Sequence, residues 1–134
     1  MEIDRNGLEV LPREECLRLL GKATIGRIGL SMGALPTVLP VNFFLDDAWI
    51  LVRTNVGAKL DAALDNAVVA FEVDDFDPLY HSGWSVVVTG TTREVTDPEE
   101  LERLELMPVP RWLPSSGRLI AISTDLVTGR RLRP

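Results

Sequence analysis

Trp49-Ile50-Leu51-Val52-Arg53-Thr54-Asn55-Val56-Gly57-Ala58-Lys59-Leu60 packs the end of a strand, a turn and the start of a helix into twelve residues. Ala48 to Thr54 (AWILVRT) is a short apolar run closed by polar residues, the signature of a strand. Gly57 to Asn66 (GAKLDAALDN) changes to helical spacing, with Leu60 and Leu64 one turn apart. Free backbone N–H groups at such a helix start, with the positive end of its dipole, favour an anion. Lys59 falls in or near the first turn, where a cation is electrostatically unfavourable. A bound phosphate would turn that penalty into an attraction, with Thr54 donating to it and Arg53 gripping it through two bonds. The alternative is that Lys59 points outward and pairs with Asp61 or Asp65. The GxxxxGK[ST] spacing is absent, so this is no P-loop.

The surrounding charge makes these two cations conspicuous. From Ile28 to Thr92 they are the only Lys or Arg, among eight carboxylates: Asp46, Asp47, Asp61, Asp65, Glu72, Asp74, Asp75 and Asp77. Two cations six residues apart in an acidic segment suggest a placed pair, the alternative being two solvated surface side chains.

Working away from this stretch, Thr37 to Phe44 (TVLPVNFF) reads as a strand, with Pro40 marking an edge or a bulge. Asp46-Asp47 is the polar break that joins it to Ala48–Thr54 as a hairpin. Ile25 to Ser31 (IGRIGLS) alternates as another strand, and Leu11 to Gly21 before it reads as a helix with Pro12 at its first position. Downstream, Ala67 to Val73 is a strand, Asp74 to Ser82 a loop, and Gly83 to Val95 the longest strand, with a bend or bulge at Gly90. Asp97-Pro98-Glu99-Glu100 opens a third helix with a capping carboxylate. Met107 to Ser116 reads as an extended connection, Gly117 to Ser123 as the last strand, and GRRLRP as a basic end. Six strands with three short helices predict an antiparallel β-barrel with helices outside it.

Composition excludes several classes. The chain has 134 residues, 14 Lys plus Arg against 20 Asp plus Glu, and a net charge of −6. That fits a single domain, residues 1–134, and argues against nucleic acid as a partner. One cysteine, Cys16, rules out an intrachain disulfide framework and reads as a small core residue. Glu2, Asp4 and Arg5 follow Met1 without an apolar run, so no signal peptide is expected, and no stretch reaches the length of a membrane span. The expectation is a reduced, cytoplasmic protein that does not associate with membranes.

Hydrolytic motifs are missing: there is no HExxH, GxSxG or GxGxxG. The one histidine, His81, has no partner in sequence that would make it a nucleophile's base, and reads as an exposed or loop-bracing residue. Asp74, Asp75 and Asp77 lack the glycine and distal glutamate of an EF-hand and read as a solvated loop. Trp84 on the Gly83-Trp84-Ser85 strand start is either core or a cover for an aromatic ligand, with Ser85 offering a hydroxyl nearby.

The order PVNFF (40–44), WILVRTNVGAKL, AVVAFEVDDFD (67–77), GWSVVVTGTTREV (83–95) and TGRRL (128–132) resembles the pyridoxamine 5'-phosphate oxidase-like family, the FMN-binding split β-barrel proteins. The likeness runs from about Cys16 to Leu132 and is nearest to the small actinobacterial-type branch. It implies a mainly β fold, a six-stranded antiparallel split barrel, forming a homodimer with its cofactor sites at the interface. By the same resemblance the phosphate of FMN meets Arg53, Thr54 and Lys59, and the flavin ring edge meets Val41 and Asn42. Trp84 and Ser85 match the strand that reaches the flavin held mainly by the partner subunit. The true oxidases have a glutamine where Ser85 stands, and Arg130 and Arg131 are only a loose counterpart of their substrate-phosphate arginines. Both departures point away from pyridoxine phosphate as substrate.

The function so implied is a flavin-dependent oxidoreductase acting on a small molecule, the cofactor carrying the redox chemistry. The alternatives are a flavin- or haem-binding protein without turnover, for storage or sensing, and a deazaflavin-dependent reductase. The deazaflavin reading ranks below FMN because it calls for more basic residues than Arg53 and Lys59.

Overall fold

A computed structural model describes residues 1–54, 57–107 and 117–134. In chain order its elements are β1 (Glu2–Ile3), β2 (Glu9–Leu11), α1 (Arg13–Lys22), β3 (Ile25–Met32), β4 (Leu35–Asn42), β5 (Phe44–Asp46), β6 (Trp49–Thr54), α2 (Ala58–Ala63), β7 (Val68–Asp77), β8 (Ser82–Glu94), α3 (Pro98–Glu105), β9 (Arg118–Ile122) and β10 (Leu126–Leu132). Among the described residues every strand pairing is antiparallel. One sheet runs β1-β2-β10-β8-β7-β3-β4, and a second, β5-β6-β9, joins it through β8.

The two halves meet where β8 changes partners. Thr91 still pairs with Val68 of β7, whereas Thr92 pairs with Ile122 of β9. Gly90 lies just before that change, and a Cβ there would collide with the backbone carbonyl of Ser123. The glycine that the sequence marks as a bend is therefore where the backbone just after β9 lies against β8.

Between the sheets lies the main core, with Leu20, Ile28, Phe43, Ile50, Phe71 and Ile120 among its members. Phe43 and Phe71 meet edge to face with ring centroids 4.8 Å apart, a favoured aromatic geometry. A second cluster, Leu51, Val95, Leu104, Leu119 and Ala121, fills the space between the second sheet and α3. Ile50 and Val52 face the first cluster and Leu51 the second. That is why β6 reads as continuous apolar WILV rather than as an alternating strand: both of its faces are buried. Asp97 caps α3 by accepting from the Glu100 N–H at 3.2 Å, and Arg103 ties that helix to Asp46 through two bonds of 3.0 Å.

All six expected strands are present, and four more join them: β1, β2, β5 and β10. The hairpin turn does lie at Asp46-Asp47, but the partner of β6 is the short β5; β4 pairs with β3 and forms a sheet edge that tolerates Pro36 and Pro40. Leu11 belongs to β2, and Pro12 precedes α1 as its cap rather than opening it. The segment expected as a loop, Asp74 to Ser82, is mostly strand. β7 runs on to Asp77 and β8 starts at Ser82, leaving a four-residue turn in which the Asp77 carboxylate accepts from the Leu79 and Tyr80 N–H groups. The basic end is also a strand. Arg130 pairs with Asp4 at 2.9 Å, Arg131 with Glu15 at 3.1 Å and Arg133 with Glu9 at 2.8 Å. The extended connection expected at Met107–Ser116 falls, from residue 108 onward, outside the described residues.

One face of the larger sheet stays open. Register places Val38, Gly29, Ala70, Thr89 and Leu126 in a row across β4, β3, β7, β8 and β10. Val38 and Leu126 are 67% and 66% exposed, and Val87 nearby is 40% exposed.

Candidate functional site

A cavity of about 200 Å³ opens between the edge of the larger sheet and α2. Its apolar lining comes from Ile28, Leu39, Val41 and Val52 of the strands, from Leu60 of α2 and from Leu64 just after that helix. Its polar members are Arg53 and Thr54, the last two residues of β6. Arg53 and Thr54 thus meet this cavity at the strand-to-helix junction singled out in the sequence; Asn55 and Val56 lie outside the described residues.

Thr54 is the most informative residue in this cavity. It is only 4% exposed, and its hydroxyl has no hydrogen-bond partner among the described residues. A buried, unsatisfied hydroxyl costs about 1–3 kcal/mol, so one that lines a cavity is poised for a ligand. Neither Arg53 nor Lys59 has a carboxylate within ion-pair distance among the described residues, whereas Arg18, Arg27, Arg93, Arg103, Arg118, Arg130, Arg131 and Arg133 all do. The alternative pairing of Lys59 with Asp61 or Asp65 is not formed. Lys59 is exposed on α2 beside Leu60, and strand alternation sends the Arg53 side chain from the face of β6 opposite Thr54.

The helix itself needs correcting. It spans six residues, Ala58–Ala63, rather than the ten of Gly57–Asn66, and Gly57 precedes it at φ 132°, a conformation suited to glycine. So short a helix sums few peptide dipoles and offers little of the N-terminal field expected from the sequence. Two contacts anchor α2 and the turn after it. The Thr92 hydroxyl donates to the Leu64 carbonyl at 2.6 Å, and the Arg118 guanidinium donates to the Asp61 carbonyl at 2.9 Å. Neither Thr92 nor Arg118 stands out in the sequence, because their partners lie 28 and 57 residues away.

The remaining expected site residues divide between two faces. Val41 lines the cavity; Asn42, next along β4, is directed to the open outer face of the sheet. Ser85 shares that outer face with Val87 and Thr89 and pairs directly with Arg130. Trp84 is directed inward and lines a different cavity, about 350 Å³, with Leu19, Lys22 and Asp74. Within one chain Trp84 and Ser85 therefore do not reach the cavity at Thr54.

Other candidates resolve into structural roles. His81 is exposed in the β7–β8 turn at φ 50°. Cys16 is fully buried, and burial pushes its thiol pKa up. Asp74 and Glu72 share Arg27 on the outer face, at 3.3 and 2.9 Å; partial burial and then the neighbouring Asp74 raise the Glu72 carboxyl above its ordinary value. The arginines compared with substrate-phosphate ligands, Arg130 and Arg131, are engaged by Asp4 and Glu15. No helix among the described residues is long and apolar enough to cross a membrane.

The family model for pyridoxamine 5'-phosphate oxidase matches residues 12–131. The chain belongs to the pyridoxamine 5'-phosphate oxidase family. It is 39% identical over 127 residues to the uncharacterized protein Rv0080 of Mycobacterium tuberculosis, covering 91% of this chain and 84% of that one. Among solved structures it resembles an FAD-binding protein of Mycobacterium smegmatis, 33% identical with a TM-score of 0.79, covering 93% of this chain and 98% of the other. A candidate pyridoxamine 5'-phosphate oxidase of Corynebacterium glutamicum is 28% identical with a TM-score of 0.82, covering 94% and 93%. These likenesses agree with the split-barrel architecture of the family.

Proposed function

We propose that this member of the pyridoxamine 5'-phosphate oxidase family binds FMN and serves as an oxidoreductase for a small molecule. The observation that carries the reading is the buried hydroxyl of Thr54, without a hydrogen-bond partner among the described residues, in a cavity whose other polar lining residue is Arg53. In this arrangement Thr54 donates to the flavin phosphate, with Arg53 and Lys59 supplying charge. Val41 and its apolar neighbours exclude water from one side of the ligand, and Asn42 offers its amide to the ring edge from the outer face. When bound, the flavin would supply the redox chemistry.

A homodimer completes the site in this proposal. The cavity of about 200 Å³ is smaller than the roughly 300–1,000 Å³ typical of ligand pockets, so much of a flavin would project beyond it. The open apolar row on the larger sheet lies on the face that presents Asn42 and Ser85. A second copy covering that face would bring its Ser85 toward the flavin, and with it the surface cavity at the start of β8 that Ser85 lines together with Trp84.

FAD is the second reading, favoured by the likeness to the FAD-binding protein of M. smegmatis. The test is the absorbance spectrum of the purified protein, followed by the mass of any released cofactor. Flavin bands with the mass of FMN are expected. The mass of FAD would select the second reading; a Soret band, a deazaflavin, or no uptake of added flavin would refute both.

A further inference from the structure

Arg118 opens β9 directly opposite Thr54 of β6, so the two side chains leave the sheet from the same face with Cβ atoms roughly 5 Å apart. Its guanidinium bonds the Glu94 carboxylate at 2.7 Å and the Asp61 backbone carbonyl at 2.9 Å, and stands 3.6 Å from the Asp61 carboxylate. The nearer Asp61 oxygen is buried and has no hydrogen-bond partner among the described residues. Asp65 also contributes to the negative field at this guanidinium. Three carboxylates therefore stand around the cation facing Thr54, and two of them contact it.

We propose that Arg118 is a positioning residue that makes this site selective for a phosphorylated ligand, by neutralising Asp61 and Glu94 and fixing α2 beside Thr54. The inference rests on the phosphate placement given above. Without the guanidinium, two carboxylates would face the position of a phosphate dianion, at partly buried locations where screening by water is reduced. Arg118 is occupied by its own partners, so it acts on the ligand through them. The sequence conceals this role because Glu94 and Asp61 lie 24 and 57 positions away.

Comparison of FMN with riboflavin, which lacks only the phosphate, isolates the effect. Titrations read by flavin fluorescence would use wild type, Arg118→Gln, and a triple variant carrying Arg118→Gln, Asp61→Asn and Glu94→Gln. Wild type is expected to prefer FMN. Arg118→Gln should lose about tenfold of that preference while riboflavin affinity stays within about twofold. The triple variant should recover most of the loss, because the carboxylates that Arg118 restrains are then neutral.

Failure can be assigned. Equal affinity of wild type for FMN and riboflavin would overturn the phosphate placement and this role with it. A wild-type preference that survives Arg118→Gln would overturn the role of Arg118 alone. So would a triple variant as weak as the single one, or parallel losses for both ligands, which would reduce Arg118 to a structural clip. If Arg118→Gln does not fold, the triple variant decides: near-wild-type preference supports the proposal and lost preference overturns it.

Discussion

Thr54→Val separates a ligand-binding hydroxyl from a structural one. In the chain alone the Thr54 hydroxyl is buried and makes no hydrogen bond among the described residues, so replacing it with a methyl breaks no bond there. The unsatisfied hydroxyl carries a desolvation cost of about 1–3 kcal/mol, part of which the valine relieves. The cofactor-free variant is therefore expected to melt at or above the wild-type temperature. Binding should move the other way: a hydrogen bond to a charged phosphate is worth about 1.5–3 kcal/mol, or roughly ten- to 150-fold in Kd. Thermal melts of cofactor-free protein and fluorescence titration with FMN measure the two quantities on the same preparations. A variant that melts several degrees lower and binds FMN normally would refute the reasoning, because the hydroxyl would then serve the fold and not the ligand.

Lys59→Ala is expected to weaken FMN by about tenfold and Lys59→Glu by more, the second placing a carboxylate beside the phosphate; Arg5→Ala, in the β1–β2 turn, is the control that should leave titration curves unchanged. Asp4 gives a pH-dependent prediction. Its carboxyl is held below the ordinary 3.8 first by the Leu8 N–H, then by the Asn6 N–H and Arg130, so its contribution is present above 3.8 and lost as the pH falls through the folded value. Asp4→Asn should accordingly lower the melting temperature near neutral pH, and the difference from wild type should vanish toward about pH 2; a constant difference across that range would show that the carboxylate's charge is not responsible.

Local chemistry and long-range pairing were legible to different degrees. Strands such as Ala67–Val73 and Gly83–Val95 announce themselves through β-branched residues, and Asp97-Pro98 caps its helix by purely local contacts. β10 was hidden because the three arginines of the basic end meet Asp4, Glu9 and Glu15 only in the fold, and those acids lie 116 to 126 positions away. The same limit applies at the site. The spacing of Arg53, Thr54 and Lys59 marked the strand-to-helix junction, yet the bonds from Thr92 and Arg118 to the Leu64 and Asp61 carbonyls are ones that no local pattern reveals. Strand alternation alone is enough to put Trp84 and Ser85 on opposite sides.

The shared flavin site is tested most directly by mixing two defective chains. Lys59→Glu damages the phosphate side and Trp84→Ala the side contributed by the second copy, so each homodimer should lack tight sites. A heterodimer isolated with two affinity tags combines both defects in one site and leaves the other intact. It should therefore bind one FMN per two chains with wild-type affinity. A heterodimer with no tight site, or a protein that binds FMN tightly while sedimenting as a monomer, would contradict a site built from two copies.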